Sequence, residues 1–358
     1  MKKQKILVGL SGWVDSAVSA YLLKQQWYDI TAGFMINYLA PEGEYCPTKD
    51  DLEVAKEVAA FLDIPFFTFD FRDEYEAKVL NYMYEGYQKG ITPNPDIMCN
   101  SEVKFRVFLD EALEAGFDMV ATGHYAQIEK DQAGVCHLLK WVDPKKDQSY
   151  FLAGLSQDQL SKTMFPIGDI PKTRVREIAL EAWLPNAERK DSQGICFVGK
   201  VDMAYFLEKK IKPKPGIVKD TNGKILWEHK WVFYYTVGQR KGLDIGGQSE
   251  PIFIVRKDIE TNEIIVGYGS DEALYKNELI ISNINFLSPL GGGYPRNEGD
   301  SGLSAKIRYR QDDQSCSIEK IWDDEYRVVF DNKQRAIAAG QICAIYIWEE
   351  LVMSWVIQ

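Results

Sequence analysis

The stretch Lys5–Ser16, KILVGLSGWVDS, restricts what this chain can fold into more than any other. Ile6, Leu7 and Val8 form an apolar run of strand length, and Gly9, Ser11 and Gly12 break it. In the following VDSAVSAYLLKQQ, Val14, Ala17, Val18, Tyr21 and Leu22 recur at helical spacing. A strand that passes through a turn of small residues into a helix start aims free N–H groups at whatever lies over that end, and the helix dipole favours an anion there. Ser11 and Ser16 add hydroxyl groups, and Asp15 adds a carboxylate able to orient a phosphate-bound Mg²⁺. The loop is not of the Walker A type, because no Gly-Lys-Ser/Thr follows at the required spacing.

Strands and helices alternate onward from this loop. Asp29–Ile36 reads as a second strand, and a helix starting in a capping-box-like manner at Thr48 places Leu52, Ala55, Val58 and Leu62 on one face. Phe66–Phe71 reads as a third strand, Glu74–Gln88 as a long helix, Ser101–Ala112 as a helix capped by Ser101, and Met119–Tyr125 as a further strand. The expected fold is α/β: a doubly wound parallel sheet, with ligands beyond the carboxyl ends of its strands. The Ser11 loop, Met35 and the Gly123-His124 pair all fall on that edge. Between these elements ITPNPDIMCN, Ile91–Asn100, reads as a shaped loop because of its prolines and asparagines. Gln127–Leu139 looks like a hairpin around Asp131–Gly134, and Lys172–Ala182 like a basic helix. A break at Lys212–Gly216 leads into short alternating strands, and from Leu279 the pattern is that of a small β-barrel. The expected division is residues 1–205, a small central domain at 206–275, and a C-terminal β-barrel at 276–358.

The net charge of −11 argues against a general nucleic-acid coat, yet residues 140–241 hold 19 Lys and Arg against 12 Asp and Glu. Such a basic middle suits a local contact with a phosphate backbone, although a solvated face would look the same. The sequence contains no apolar run of 18 residues, so no membrane span is expected. Six cysteines without a CxxC pattern suggest neither a zinc site nor a thioredoxin-type motif, and point to reduced thiols in a cytoplasmic protein.

The Lys5–Ser16 loop resembles the SGGxDS loop of the N-type ATP pyrophosphatases, which have a HUP-like fold. Taken with TPNPDxxCN, ATGHYA, KDQSYF, KDSQGICF, YTVGQRKGL and KIRYRQ, in that order along the chain, the sequence resembles the bacterial tRNA-specific 2-thiouridylases, the MnmA family. That resemblance implies an enzyme that thiolates C2 of the wobble uridine in the anticodon stem-loop of tRNA. It would use ATP with Mg²⁺ and a persulfide sulfur supplied by a relay protein. It assigns persulfide carriage to Cys196, release of the sulfur and closure of a disulfide to Cys99, and general acid/base work to Asp96. Gly9, Leu10, Ser11, Gly12, Trp13, Val14, Asp15, Ser16, Met35 and Gly123 would hold ATP. Asn94, Pro95 and Asp96 would face the target base, while Lys146, Asp147, Gln148, Arg308 and Tyr309 would contact tRNA. The alternatives are another ATP pyrophosphatase of this fold, whose reactions need no thiol pair, or an impaired tRNA-binding homologue.

Tryptophan occupies family glycine positions at 13, 27, 141 and 183, and at 227 and 231. Positions 27 and 183 directly follow helix patterns, where a left-handed residue is wanted. At 13, the indole is expected to crowd the phosphate pocket and to lose dihedrals open only to glycine. Leu351–Trp355 replaces a glycine-rich ending. Either the chain is a divergent, weakened or inactive homologue, or glycines encoded by UGA have been written as tryptophan. The clustering of Trp on glycine positions favours the second.

Overall fold

The computed structural model describes all residues except 1, 2, 42, 192, 193, 195, 200–202, 244–249, 289–301 and 323–324. Parts of the KDSQGICF and YTVGQRKGL-DIGG stretches therefore lie outside the described residues.

The first strand, β1 (Lys5–Gly9), is central to a five-stranded parallel sheet. It is flanked by β2 (Asp29–Ile36) and then β3 (Phe66–Asp70) on one side. On the other side lie β4 (Met119–Ala121) and a two-residue edge strand, Thr163–Met164. Alternation along β1 explains why both faces are covered. Leu7 enters a core with Phe105 and Phe108, whereas Ile6 and Val8 enter another with Val14, Val58 and Val175. Helices α1 (Val14–Gln25) and α2 (Pro47–Phe61) pack with this second core. α2 begins at Cys46 with no side-chain cap; the Thr48 hydroxyl instead donates to the Tyr38 carbonyl at 2.8 Å.

The Ile91–Asn100 stretch differs from the expected loop. Helix begins at Pro95, with Asn94 as N-cap accepting from the Ile97 N–H at 3.3 Å. Proline is tolerated in the first turn because its missing N–H would have no partner there anyway. The helix continues as a π-helix over Cys99–Val107 and regains α geometry at Phe108–Glu114. Ser101 is therefore mid-helix, its hydroxyl turned back to the Ile97 carbonyl, and not a cap.

Beyond the first domain, a four-stranded sheet comprises Ile252–Asp258, Glu263–Tyr268, Gly216–Asp220 and Ile225–His229 in that order. The C-terminal strands close a six-stranded barrel: Tyr275–Phe286 pairs with both Glu325–Arg335 and Glu350–Ile357. Leu351–Trp355, set apart in the sequence as a replaced ending, is a buried barrel strand. The Gln127–Lys130/Cys136–Leu139 hairpin forms as expected, but it joins the barrel: Leu138 pairs with Leu351 and Leu139 with Glu350.

The tryptophans divide sharply. Trp27 (φ 66°) and Trp183 (φ 56°) are left-handed and about 75% and 82% exposed. Each closes a helix end by a paired motif, Trp27 N–H to Lys24 and Tyr28 N–H to Leu23, Trp183 N–H to Leu180 and Leu184 N–H to Ala179. Trp348, outside the expected set, is also left-handed at φ 56°. Trp13 is not: φ is −94° and ψ 158°, an extended N-cap that any residue adopts. Trp141, Trp227 and Trp231 do not have positive φ either, and Trp141 and Trp231 are buried.

Candidate active site

A cavity of about 380 Å³ opens at the carboxyl edge of the parallel sheet. One end is the Gly9–Ser16 turn. Gly12 has φ +80°, and a Cβ there would lie 2.4 Å from the Asp51 carbonyl oxygen. A Cβ on Gly123 would meet the Asp15–Ser16 peptide at 2.7 Å, so glycine lets the end of β4 lie against the start of α1. The Ser11 N–H donates to the Ser16 hydroxyl at 3.1 Å, and that hydroxyl donates to the Trp13 carbonyl at 2.9 Å. No side chain caps α1, leaving its N-terminal N–H groups directed at the cavity mouth. Leu10 and Val14 are buried, so whatever they offer a ligand comes from their backbone. Met35 and Gly123 line the same wall.

Trp13 also lines the cavity, but its ring is drawn aside. The Arg189 guanidinium stacks on it at 3.9 Å from the ring centre, and its Nε1 donates to Asp51 at 3.3 Å. Arg189 also donates to the Gly12 carbonyl at 3.0 Å and pairs with Asp51. Asp15 accepts from the Tyr125 hydroxyl at 2.6 Å and from the Lys172 ammonium at 2.7 and 2.9 Å. Asp51, Tyr125, Lys172 and Arg189 escape sequence reading because each reaches the loop from a distant segment.

The other end holds sulfur. Cys99, fully buried in the π-helix, interacts with Cys196, which lies in the turn 196–198. Two groups grip that turn by its backbone: Asp96 Oδ1 accepts from the Cys196 N–H at 3.1 Å, and the Tyr75 hydroxyl donates to the Cys196 carbonyl at 2.7 Å. Both thiols are free. The Cys99 thiol beside it, outweighing burial and assisted by the Lys104 charge, lowers the Cys196 thiol to about 7, near the range where thiolates become abundant. Burial pushes Cys99 well up and raises Asp96, the latter opposed by the Cys196 N–H and Lys104. His124 touches Thr122 at 2.7 Å and is kept neutral by burial and by the Lys104 charge.

A second cavity of about 570 Å³ lies between Pro144–Lys146 and the barrel residues Lys306 and Arg310–Asp313. Lys146 pairs with Asp191 at 3.1 Å, and Gln148 turns toward the first cavity, accepting from the Tyr125 N–H at 2.9 Å. The Asp147 carboxylate is buried and occupied by Trp141 N–H, Ser149 and Lys306, so it shapes this loop from within. Arg308 and Tyr309 follow the strand Leu303–Lys306 in a turn; Arg308 is exposed, and Tyr309 packs on Phe151 with ring centres 4.3 Å apart. Asn94 and Pro95 cap and start the helix that carries Asp96 and Cys99.

Three family models match successive parts of the chain: the tRNA methyl transferase HUP domain over residues 4–200, the tRNA methyl transferase PRC-barrel domain over 204–268, and the aminomethyltransferase beta-barrel domain over 276–357. Proteins named tRNA-specific 2-thiouridylase MnmA match nearly end to end. That of Levilactobacillus brevis is 44% identical over 361 residues, covering 99% of this chain and 95% of its own. That of Bacillus velezensis is 43% identical over 349 residues, covering 97% and 92%. That of Pseudomonas fluorescens is 43% identical over 362 residues, covering 99% and 95%.

Proposed function

This chain belongs to the family of tRNA-specific 2-thiouridylases, and on that premise we propose that it activates the wobble uridine of tRNA with ATP and thiolates it with a persulfide carried on Cys196. The observation that carries this reading is one cavity with an anion-ready helix start at one end and the Cys196 thiol at the other, with the buried Cys99 thiol interacting with it.

The C2 carbonyl of uracil is a poor electrophile, and its oxygen is a poor leaving group. The C2 oxygen attacks the α-phosphate of ATP, a P–O bond forms, and pyrophosphate departs with the bonding electrons. The loop N–H groups and Ser11 receive the phosphates. The outer sulfur of the Cys196 persulfide then attacks C2. Cys99 attacks the inner sulfur, the bond to the transferred sulfur breaks, and AMP leaves with the C2 oxygen. Sulfur leaves reduced, and the two cysteines end oxidised as a disulfide, which an external thiol must reduce before the next cycle. Asp96, its carboxyl raised by burial, is suited to moving a proton near the base.

Among the described residues no cluster of acidic, His or Cys side chains is gathered to hold an ion. Mg²⁺ bound with ATP would keep waters and be held mainly through the substrate phosphates. Asp15 is the carboxylate that would face it, and the ion would offset phosphate charge there.

A splayed base needs stacking and edge contacts, and Tyr309 beside Arg308 offers both. The side of the cleft that carries Lys145, Lys146 and Arg310 suits the tRNA backbone, whereas Lys306 is buried and paired with Asp147 and Asp313. The same reading includes a cytoplasmic location and a sulfur-relay protein as the persulfide donor. Among the described residues no helix is long and apolar enough to cross a membrane. The thiol pair disfavours an ATP pyrophosphatase of another kind, which would have no use for it.

The test is the purified chain with substrate tRNA, ATP and a persulfide donor, reading 2-thiouridine by mass spectrometry. Cys196→Ser should carry no persulfide. Cys99→Ser should load sulfur and fail to transfer it. Full thiolation by either variant overturns the assignment.

A further inference from the structure

We propose that Lys104 is a positioning residue of the sulfur end: one turn of π-helix brings its ammonium onto the face of Cys99, where it holds the sulfur on Cys196 as an anion. The inference rests on the reading of Cys196 as sulfur carrier.

Backbone geometry comes first. Residues Cys99–Val107 form a π-helix, whose hydrogen bonds link residues five apart, and Lys104 lies five residues after Cys99. In an α-helix, at about 100° per residue, positions five apart point roughly 140° away from each other. An α-helical Lys104 would be turned from the thiol it now accompanies. π-Helical turns are rare and concentrate at functional sites.

Contact geometry agrees. Lys104 lines the cavity together with Cys196, and its positive charge there favours the anionic form of that sulfur. Its Nζ also lies 5.5 Å from the centre of the Phe197 ring, next along the sulfur-bearing loop. The titratable groups facing the sulfur pair are Asp96, Cys99 and Tyr75 together with Lys104; His124, beside Lys104, is neutral. Among the described residues, Lys104 is therefore the cation of this group. Burial works against its charge, yet Cys196, Cys99 and Asp96 outweigh that and raise it above an ordinary lysine. Glu102, the nearest acidic neighbour along the helix, is engaged by Lys78 and Arg106.

The chemistry gives the cation a purpose. ATP and tRNA both bring negative charge into the cavity, and each would drive a sulfur anion toward its protonated form. A fixed ammonium opposes this at the moment the substrates arrive, when the nucleophile is required.

The experiment measures site-resolved iodoacetamide alkylation of Cys196 against pH in the full-length chain. Lys104→Met should shift the midpoint upward by about one unit and slow alkylation at pH 7 about tenfold, and Lys104→Arg should restore most of the rate. Lys104→Gln, which keeps an N–H donor without charge and suits the site if the methionine variant fails to fold, should behave like Lys104→Met. A Met or Gln profile that overlays the unmodified chain overturns the proposal. Because alkylation reads the thiol directly, a chain with the expected shift that never thiolates tRNA overturns the proposed function and leaves this inference standing.

Discussion

The two ends of the cavity are built by opposite means. At the nucleotide end the parts that face a ligand are backbone: the turn after β1, the uncapped start of α1, and the glycine at 123 that lets β4 lie against it. At the sulfur end they are side chains, Cys196 and Lys104, backed by Cys99 and Asp96 and held by a helix of unusual pitch and a turn gripped through its peptide groups. A backbone site tolerates side-chain change unless it fills space, and what it demands is glycine. A side-chain site fails when one functional group is changed, however well the backbone survives.

The largest effect should separate the ends cleanly. Asp96→Asn keeps a carbonyl to accept the Cys196 N–H but cannot move a proton, so kcat for thiolation should fall by roughly 10²–10⁴-fold with ATP affinity unchanged. An equal fall in ATP affinity would show that the two ends are not independent. Next, Gly123→Ala inserts a Cβ 2.7 Å from the Asp15–Ser16 peptide. Overpacking there costs about 1–3 kcal/mol, and ATP titration should show roughly tenfold weaker binding. Cys196 alkylation should stay as it was. Unchanged ATP binding would mean that the loop does not need this close approach.

Trp13→Gly should have a smaller effect. The extended backbone at 13 makes no demand for glycine, so only the ring matters, and the ring is already stacked on Arg189. Removing it opens the wall and gives up the stack on a guanidinium that Asp51 and the Gly12 carbonyl still hold, so ATP should tighten at most about three- to fivefold, in line with a cation–π stack of ~0.5–1 kcal/mol. An unchanged titration would place the indole outside the ATP volume. The smallest effects lie outside both ends. Trp27→Gly and Trp183→Gly each relieve roughly 1–2 kcal/mol of left-handed strain, less the added chain entropy of glycine. Each should raise the melting temperature by a few degrees, read by thermal denaturation, with ATP binding and thiolation unaffected. No gain in melting temperature would show that the exposed indoles contribute packing enough to offset the strain.

The same contrast explains what the sequence disclosed. The Lys5–Ser16 turn, the parallel strands and the barrel were legible because local hydrophobic period and turn residues specify them. Cys99 and Cys196 were legible only through their surrounding motifs. Lys104 was not, since reading helix faces at 3.6 residues per turn puts it away from Cys99. Pro95 reads as a helix breaker, yet it sits in the first turn where it does no harm. Arg189, Lys172 and Tyr125 meet the loop only after the chain has folded over long distances. The tryptophan pattern was right about backbone at 27 and 183, wrong about it at 13, and silent about 348.

The hairpin seam between Leu138 and Leu351 bears on how the chain is made. A ribosome delivers the hairpin more than two hundred residues before the strand it pairs with. Throughout that interval the Cys136–Leu139 edge has open hydrogen-bonding groups, as do other first-domain anchors: the Tyr150 hydroxyl awaits the Ile342 carbonyl, and the Ala153 carbonyl awaits Asn285 and Ser354. The nucleotide domain is therefore translated early and finished late, and its unpaired edge is exposed to other nascent chains until the final strand emerges.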